Sequence, residues 1–290
     1  MRIVNSTISG NTTPGVGGGI YNVGNTATVT SSTISGNSAA NGGGIYKTGS
    51  PLVVINSTIS GNFSTGNGGG IYASAGTTSL FNVTITHNQA NSDGSGMCTG
   101  GGVWNANGST LSFQNSIIAL NENVIDTGGP FDILNDDDCS GTIASQGNNI
   151  MYAVDSSHCT VNGPAVTVID PNLGPLQNNG GPTQTHALLS GGPAIDAGNF
   201  GGCTDNLGAI LTSDQRGFPR PDGVHCDIGA FEFGGTLRIQ KVGSNVQLTW
   251  PQGTLLEANV VTGPYTTNNA TSPYTFAPTG SAKFYKLRVQ

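Results

Sequence analysis

The sequence predicts an all-β fold: a right-handed parallel β-helix with three short strands per coil, an irregular C-terminal cap and a small β-sandwich-like module. Two motifs alternate over roughly the first 120 residues and return about every 25 residues. One is Asn-Ser-Thr-Ile-Ser-Gly-Asn or a variant of it, and its central isoleucine recurs at Ile8, Ile34, Ile59, Ile85 and Ile118. The other is Gly-Gly-Gly followed by an apolar and an aromatic residue. A fixed period of this length, without helical periodicity, is typical of stacked coils.

A short apolar burst before each Asn-Ser-Thr-Ile motif supplies the third strand, as at Ala27, Leu52, Leu80 and Leu111. Strands of neighbouring coils lie about 4.8 Å apart, so equivalent residues form columns. We expect the isoleucine column to fill the interior. The asparagines at the corners are expected to hydrogen-bond from coil to coil, as in the Asn ladders of amyloid.

Charge is nearly absent from the repeats, although the net charge of the chain is −7. Between Ile3 and Ser92 the only charged residue is Lys47, and no lysine or arginine lies between Lys47 and Arg216. Stacked like charges about 5 Å apart would be destabilising, which explains this pattern. The near absence of lysine and arginine also leaves the repeats without a basic face, which binding to nucleic acid or to an anionic membrane requires. No apolar run approaches the roughly 20 residues of a spanning helix, so no transmembrane segment is predicted.

The C-terminal part loses the period but carries a series of short motifs. In chain order they read DPNLGPL (170–176), NNGGPT (178–183), THAL (185–188), PAIDAG (193–198), DQRG (214–217) and CDIGAFE (226–232). Together with the repeats, they make residues 1–234 resemble bacterial right-handed parallel β-helix proteins of the polymorphic outer-membrane type and the "choice-of-anchor" type. The resemblance implies a secreted or surface location, and it carries over no defined activity and no catalytic residues.

Two domains are predicted. Residues 1–234 form the parallel β-helix, with residues 122–234 as irregular last coils and a cap that protects the open end. Residues 235–290 alternate as short strands and resemble a small C-terminal β-sandwich-like module of bacterial secreted proteins.

Five cysteines indicate disulfides, because none forms a Cys-x-x-Cys metal pair. We predict pairs Cys139–Cys159 and Cys203–Cys226, since each pair is close in sequence, and this leaves Cys98 unpaired. Disulfides and few ion pairs favour an extracellular or bacterial cell-surface location. The chain enters its repeats without a signal peptide, so we expect it to be cut from a longer secreted precursor.

An aromatic column is the first candidate site. It consists of the residues that follow the inward-facing apolar position of the Gly-Gly-Gly motif: Tyr21, Tyr46, Tyr72 and Trp104. Strand alternation points them outward, where they could form a flat strip on which sugar rings stack. The alternatives are that a loop or the cap covers them, or that the rings only pack against one another.

A hydroxyl grid flanks the isoleucine column and is the second candidate. Its residues are Thr7, Ser9, Thr33, Ser35, Thr58, Ser60, Thr84 and Thr86. Regular grids of this type are similar to those of ice-binding β-helices. The alternative is that threonine and serine simply suit an exposed strand.

Carboxylates that could serve catalysis or calcium binding begin only at Asp93, since residues 3–92 hold no aspartate or glutamate. The candidates for a glycoside hydrolase pair are Asp93, Glu122, Asp126, Asp132 and Asp155, with His158 beside them. A lyase is disfavoured, because it needs cations that this region lacks. Calcium could bind Asp132, Asp136, Asp137 and Asp138, which are hard oxygen ligands, although their spacing matches no EF-hand. The alternative is that all these acids are solvated.

The sequence therefore predicts a noncatalytic, adhesin-like surface protein that binds an extracellular polysaccharide, a surface glycan or another surface partner. No cofactor is required for this function, with calcium as the one option. The enzyme alternative is a hydrolase of a neutral polysaccharide that draws its carboxylates from residues 93–155. The further alternatives are ice binding and a purely structural stalk.

Overall fold

The computed structural model describes residues 1–96, 98–125, 133–234, 237–250, 253–278 and 282–288. All the regular elements in these ranges are β-strands. The parallel strands of successive coils pair with one another, so the predicted all-β parallel β-helix is confirmed. No helix among the described residues could cross a bilayer.

Seven coils follow one another along the axis, the last of them short. Coil one contains β1 (Arg2–Val4), β2 (Thr7–Ser9) and β3 (Ile20–Val23). Coil two contains β4 (Ala27–Thr30), β5 (Thr33–Ser35), β6 (Ser38–Ala39) and β7 (Ile45–Thr48). Coil three contains β8 (Leu52–Ile55), β9 (Thr58–Ser60), β10 (Phe63–Ser64) and β11 (Ile71–Ala73). Coil four contains β12 (Gly76–Phe81), β13 (Thr84–Thr86), β14 (Gln89–Ala90) and β15 (Val103–Asn105).

The last three coils are less regular. Coil five contains β16 (Ser109–Gln114), β17 (Ile117–Ala119), β18 (Glu122–Ile125) and β19 (Ile133–Asp136). The strand β20 (Cys139–Ser145) closes coil five and opens coil six, which continues with β21 (Ile150–Met151). Coil seven contains β22 (Cys159–Asn162), which pairs with β20, and β23 (Thr167–Val168), which pairs with β21. The strand β19 is antiparallel to β18, whereas β20 to β23 keep the parallel pairing of the coils.

Four parallel sheets result from the stacking. Sheet 1 is formed by β1, β4, β8, β12, β16, β20 and β22, and sheet 2 by β2, β5, β9, β13, β17, β21 and β23. Sheet 3 contains β6, β10, β14 and β18, and sheet 4 contains β3, β7, β11, β15 and the first residues of β20. The three predicted strands per coil correspond to sheets 1, 2 and 4. The strands β6, β10 and β14 have only two residues each, which is too short for any periodic pattern in the sequence.

The interior is a dry stack of aliphatic columns. Ile34, Ile59 and Ile85 are fully buried and in register with one another. The column continues at Ile118 and at Met151 of coil six. Full burial of such a side chain contributes about 1.5–3 kcal/mol, so the column is a main source of stability.

An asparagine ladder runs parallel to the apolar columns at the corner that follows sheet 2. Each side-chain amide donates to the Oδ1 atom of the next, over 2.8–2.9 Å. The members are Asn11, Asn37, Asn62, Asn88 and Asn121, and the last donates over 3.0 Å to Asp138. The predicted corner ladder is therefore present. Because a buried amide without a partner costs about 1–3 kcal/mol, the ladder also locks the register of the coils.

Residues 170–234, called the tail below, lie along sheet 2. They contain one antiparallel hairpin, β24 (Leu173–Gln177) with β25 (Thr185–Leu188). This position differs from the cap that the sequence analysis placed at the end of the coils. The tail binds there because sheet 2 presents a row of hydroxyl and amide groups that form hydrogen bonds with it over several coils.

A buried ionic network holds the tail together. The side chain of Arg216 contacts Asp214 at 2.6 Å, and Arg220 contacts Glu232 at 2.8 Å, with all four side chains inaccessible to solvent. Arg220 also donates to Asn56 Oδ1 of sheet 2 over 3.0 Å. Burial and the neighbouring Glu232 raise the pKa of Asp227 to about 7. Charges buried this deeply are tolerated only when they are paired, so the network fixes one arrangement of the tail.

The two disulfides are those predicted. Cys139 pairs with Cys159 and Cys203 with Cys226, with Cα–Cα distances of 5.5 and 6.0 Å. The first joins the start of β20 to the start of β22, and the second closes a loop of the tail. Cys98 is free and half-buried.

The C-terminal residues form two antiparallel sheets of three strands each. One contains β26 (Arg238–Val242), β27 (Asn245–Thr249) and β30 (Tyr274–Phe276). The other contains β28 (Thr254–Ala258), β29 (Thr266–Thr267) and β31 (Phe284–Arg288). Their shared core is built on Leu248, Trp250 and Leu255. The boundary at residues 234 and 235 stays a prediction.

Candidate functional site

The aromatic column lies on the outer face of sheet 4. Tyr21, Tyr46, Tyr72 and Trp104 are in register on neighbouring strands, as the repeat predicts. The ring centroids are 5.6 Å apart for Tyr21–Tyr46, 4.9 Å for Tyr46–Tyr72 and 4.3 Å for Tyr72–Trp104. Tyr21 is 58% exposed, and the other three side chains are half-buried.

The rings stack on one another and do not lie flat on the sheet. The planes of Tyr46 and Tyr72 differ by 8°, and those of Tyr72 and Trp104 by 12°. Parallel rings with centroids this close must be face to face, because two rings side by side in one plane would overlap. Burial and the neighbouring Tyr46 raise the pKa of Tyr72. Solvent therefore meets ring edges and phenolic hydroxyls along the column, and ring faces only at its ends.

The column ends at Ser140, the residue in register with Trp104 on the following strand. The small side chain of Ser140 accepts a hydrogen bond from Thr99 Oγ1 over 3.0 Å. The far face of the Trp104 indole consequently has no aromatic neighbour in the column. At the opposite end, Tyr21 is tilted by 45° against Tyr46 and leaves its outer face free.

The hydroxyl grid lies on sheet 2 and is largely covered by the tail. Thr33 donates to Gln184 O over 2.5 Å, and Thr58 donates to Gln215 Oε1 over 2.7 Å. Ser60 bonds His186 Nε2 at 2.8 Å. The prediction of ice binding through this face is wrong, because from coil two to coil four the grid is buried.

Asparagine side chains continue the same contact at the sheet edge. The side-chain amides of Asn56, Asn82 and Asn115 donate to the backbone carbonyls of Ser213, Thr204 and Asp227, over 2.7–2.8 Å. Sheet 2 is thus an internal interface, and sheet 4 is a repeat face that the tail leaves open.

The candidate catalytic carboxylates that the structure describes lie in different surroundings. Asp93 is exposed and accepts hydrogen bonds from Ser95. Asp155 is exposed and accepts a hydrogen bond from the backbone of Ser157, which lowers its pKa. Asp126 and Asp132 lie outside the described residues.

Glu122 and Asp136 are the one pair of candidate acids that the described strands bring face to face. They are directly opposite each other in the antiparallel pairing of β18 with β19. Burial and the charge of Asp136 raise the pKa of Glu122. Two carboxylates opposed in this way can hold one proton between them, as hydrolase pairs do.

Two of the four proposed calcium ligands, Asp137 and Asp138, bind groups of the protein itself. Asp137 accepts a hydrogen bond from the Gly100 amide at 2.8 Å and contacts His158 Nε2 at 3.0 Å. Asp138 accepts from Asn121, Tyr152 and Ala153, and burial raises its pKa to about 6. Among the residues that the structure describes, no three His, Cys, Asp or Glu side chains converge to hold a metal ion, so calcium binding is not supported.

His158 is fixed between two carboxylates. Its Nε2 atom contacts Asp137, and its Nδ1 atom lies 3.4 Å from Asp155 Oδ2. It lines an open cleft of about 760 Å³ with Thr99, Asn123 and Ile125. None of the candidate acids lines this cleft among the described residues, and both ring nitrogens are engaged, so the arrangement fits a clamp between coils five and six better than a general base.

Two features of the site escaped the sequence analysis. Lys47 is buried at the end of its strand, where its Nζ atom donates to Ala75 O over 2.5 Å and burial lowers its pKa to about 8. It is therefore no surface cation beside the aromatic column. The second feature is the contact of the tail with sheet 2. The tail has no repeat period, so no pattern in its sequence predicts this contact.

The repeats match a known family. Residues 5–23, 31–48 and 56–74 each match the Chlamydia polymorphic membrane protein repeat. The chain carries Chlamydia polymorphic membrane protein repeats. Each matched segment runs from sheet 2 to sheet 4 and so contains both a hydroxyl position and an aromatic position. No curated protein and no solved structure matches the chain.

This match confirms the resemblance that the sequence analysis stated for the repeats. The family is one of surface proteins, and a surface-associated role fits the chain. The two disulfides fit a location outside the cytoplasm.

Proposed function

We propose that the protein is a noncatalytic, adhesin-like surface β-helix that binds an extracellular polysaccharide along the aromatic column of sheet 4. One observation carries the proposal: the column is uncovered, whereas the other conspicuous side-chain array of the repeats is buried under the tail. Tyrosine and tryptophan are enriched at binding surfaces because they combine a large apolar body with a polar group.

The stacked geometry determines how a polysaccharide would bind. The phenolic hydroxyls of Tyr21, Tyr46 and Tyr72 repeat at about the strand spacing of 4.8 Å, and each both donates and accepts. A sugar chain that follows the axis meets these hydroxyls and the ring edges in succession. Stacking of a sugar ring is restricted to the outer face of Tyr21 and the far face of Trp104. With no accessible lysine or arginine in the column, a neutral polymer fits better than an anionic one.

The test is binding of the whole chain to an array of neutral and acidic polysaccharides, followed by titration of the strongest neutral one. Loss of two hydroxyls in Tyr46→Phe with Tyr72→Phe should weaken binding about 5- to 150-fold, since each net hydrogen bond is worth about 0.5–1.5 kcal/mol. Tyr46→Ala with Tyr72→Ala should weaken it more. Phe63→Ala, an exposed aromatic residue on sheet 3, is the matched control and should leave it unchanged.

Two results would overturn the proposal. One is that no polysaccharide on the array is retained, which would leave a stalk. The other is an affinity that survives both alanine substitutions.

The second candidate is a hydrolase of a neutral polysaccharide, favoured only by the opposed pair Glu122 and Asp136. Release of reducing ends from the polysaccharides of the array would measure it. Activity that disappears in Glu122→Gln and in Asp136→Asn, with the folded state retained, would establish this candidate. Its absence from the unmodified chain would remove it.

A further inference from the structure

A cleft of about 760 Å³ lies between the tail and the sheet of β26, β27 and β30. Small-molecule sites of proteins have volumes of about 300–1,000 Å³, so the cleft is large enough for a small ligand. The wall on the tail side includes the backbone of Gly180, Gly181 and Gly217 and the ring of Phe218. The cleft shares no residue with the aromatic column, so a ligand in it would be independent of the function proposed above.

The opposite wall presents a block of four polar side chains. In the antiparallel pairing of β26 with β27, Arg238 lies opposite Thr249 and Gln240 lies opposite Gln247. Alternate residues of a strand share one face of the sheet, so all four side chains lie on the same face, and all four line the cleft. Leu248 lies on the other face, where it is buried in the core of the C-terminal sheets. The wall is therefore polar, while an apolar core holds its strands from the other side.

The amides of this block form a chain of hydrogen bonds with one open acceptor. Gln240 Nε2 donates to Gln247 Oε1 over 2.5 Å, and Gln247 Nε2 donates to Thr275 Oγ1 over 3.0 Å. The Oε1 atom of Gln240 accepts no hydrogen bond from the residues that the structure describes. An amide oxygen accepts from a hydroxyl group, so this position suits a ligand that carries hydroxyls.

Two arginines approach the ring of Phe218 and differ in their partners. The Cζ atom of Arg216 lies 4.8 Å from the ring centroid, and that of Arg238 lies 5.8 Å from it. Arg216 is buried, and its guanidinium contacts Asp214 at 2.6 Å and donates to Glu232 O over 2.7 Å. Arg238 is exposed and forms no hydrogen bond or ion pair with the described part of the chain. Its N–H donors are therefore available to a ligand, and a guanidinium binds a carboxylate through two parallel hydrogen bonds.

The charge around Arg238 favours an anion. Among the described residues that line the cleft there is no aspartate or glutamate. Residues 237–288 hold five of the nine lysines and arginines of the chain but only one of its sixteen acids, Glu257. This segment is therefore basic, although the net charge of the whole chain is −7. A local excess of positive charge raises the local concentration of anions, so a ligand with a carboxylate should be attracted to the cleft.

We propose that the cleft binds a sugar acid, a small saccharide that carries one carboxylate beside its hydroxyls. The carboxylate accepts two hydrogen bonds from the guanidinium of Arg238, and a hydroxyl donates to Gln240 Oε1. Asn178 and Thr249 line the cleft where further hydroxyls can bind, and Pro273 offers an apolar contact to the C–H groups of the sugar ring. A neutral sugar would leave Arg238 without a partner, so the negative charge determines the specificity.

The test is titration of the whole chain with three sugar acids, glucuronate, galacturonate and N-acetylneuraminate, followed by NMR spectroscopy or calorimetry. The methyl ester of each acid is the matched ligand, because it keeps the ring and the hydroxyls but carries no charge. At least one acid should bind at least about tenfold more tightly than its ester, since charge-assisted hydrogen bonds are about twice as strong as neutral ones.

Three variants locate the binding. Arg238→Gln should lower the affinity for the acid to that for the ester, and Arg238→Lys, which keeps the charge but loses the planar fork, should lower it less. Arg288→Gln is the matched control. It removes an exposed arginine of the same segment that does not line the cleft, and the affinity should stay within about twofold because salt screens a distant charge. Gln240→Leu should weaken binding of acid and ester alike, because the acceptor for a hydroxyl is lost.

Three results would overturn the proposal. The first is that none of the acids binds, or that acids and esters bind equally. The second is an affinity that Arg238→Gln leaves unchanged, or that Arg288→Gln lowers equally, which would show a general effect of charge without a site. The third is a peptide that binds at Arg238 through its C-terminal carboxylate more tightly than every sugar acid, because the cleft would then recognise a carboxylate without hydroxyls.

Discussion

Sheet 2 and sheet 4 come from the same repeats and the same coils, yet they have opposite surroundings. On sheet 2, hydroxyl and amide groups bind the tail and are buried from coil two onward. On sheet 4, aromatic rings stack on one another and keep their edges in solvent. The difference teaches that a column of polar side chains needs hydrogen-bond partners from another segment. A column of aromatic rings finds its packing partners in the neighbouring coils of the same column.

Removing a buried cation from the tail should have the largest effect on this comparison. Arg220→Met leaves the carboxylate of Glu232 buried without its partner and takes a donor from Asn56. A loss of about 3–5 kcal/mol in the free energy of unfolding is expected, with release of the tail from sheet 2. Urea denaturation and limited proteolysis of residues 170–234 measure it. Arg288→Met, an exposed arginine, is the control, and equal effects of both would contradict the prediction.

Acid should weaken the sheet 2 interface through His186. Burial, and secondarily the neighbouring His87, lowers the pKa of His186 from 6.5 to about 4. The unfolded chain therefore binds more protons between pH 6.5 and pH 4, and stability is lost as the pH falls through that window, by up to about 3 kcal/mol.

The raised pKa values of Asp138 and Asp227 have the opposite effect, because they make the folded state more stable as the pH falls. The contribution of His186 must therefore be measured by comparing variants. The free energy of unfolding of the natural chain should fall more steeply between pH 6.5 and pH 4 than that of His186→Asn. His225→Asn, which lies in the same tail, should behave as the natural chain. Parallel pH profiles for all three proteins would refute this role of His186.

Removing a single hydroxyl of sheet 2 should measurably lower the free energy of unfolding. Thr58→Val removes the donor to Gln215 Oε1 and leaves that buried oxygen unsatisfied. We expect a loss of about 1–3 kcal/mol. The matched substitution Thr7→Val on coil one, where the side chain is exposed, should cost far less in the same denaturation experiment.

The end of the aromatic column should contribute least to folding. Tyr21→Ala removes one tilted ring contact from a side chain that is mostly in solvent, and under about 1 kcal/mol is expected. If Tyr21→Ala lowered the free energy of unfolding as much as Thr58→Val does, sheet 4 would be a structural interface like sheet 2. The two sheets would then not differ in this respect.

Much of the β-helix could be predicted from the sequence. The isoleucine columns, the asparagine ladder and the alignment of Tyr21 with Tyr46, Tyr72 and Trp104 follow from a repeat in which residues about 25 positions apart share one environment. The disulfide pairs followed from short sequence separations. In contrast, the sequence predicts neither the orientation of the rings nor the two-residue strands of sheet 3, since both depend on how neighbouring coils pack.

The sequence by itself determined the coil and its columns, because in a parallel β-helix each residue is stacked on its own counterpart and the period alone specifies the neighbour. Only the tertiary structure decided which column would be covered. Thr58 and Gln215 meet across 157 residues, and Asn56 and Arg220 across 164. Contacts at such separations, made by a segment with no period, arise from the shape and hydrogen-bonding groups of two folded surfaces, and no local pattern encodes them.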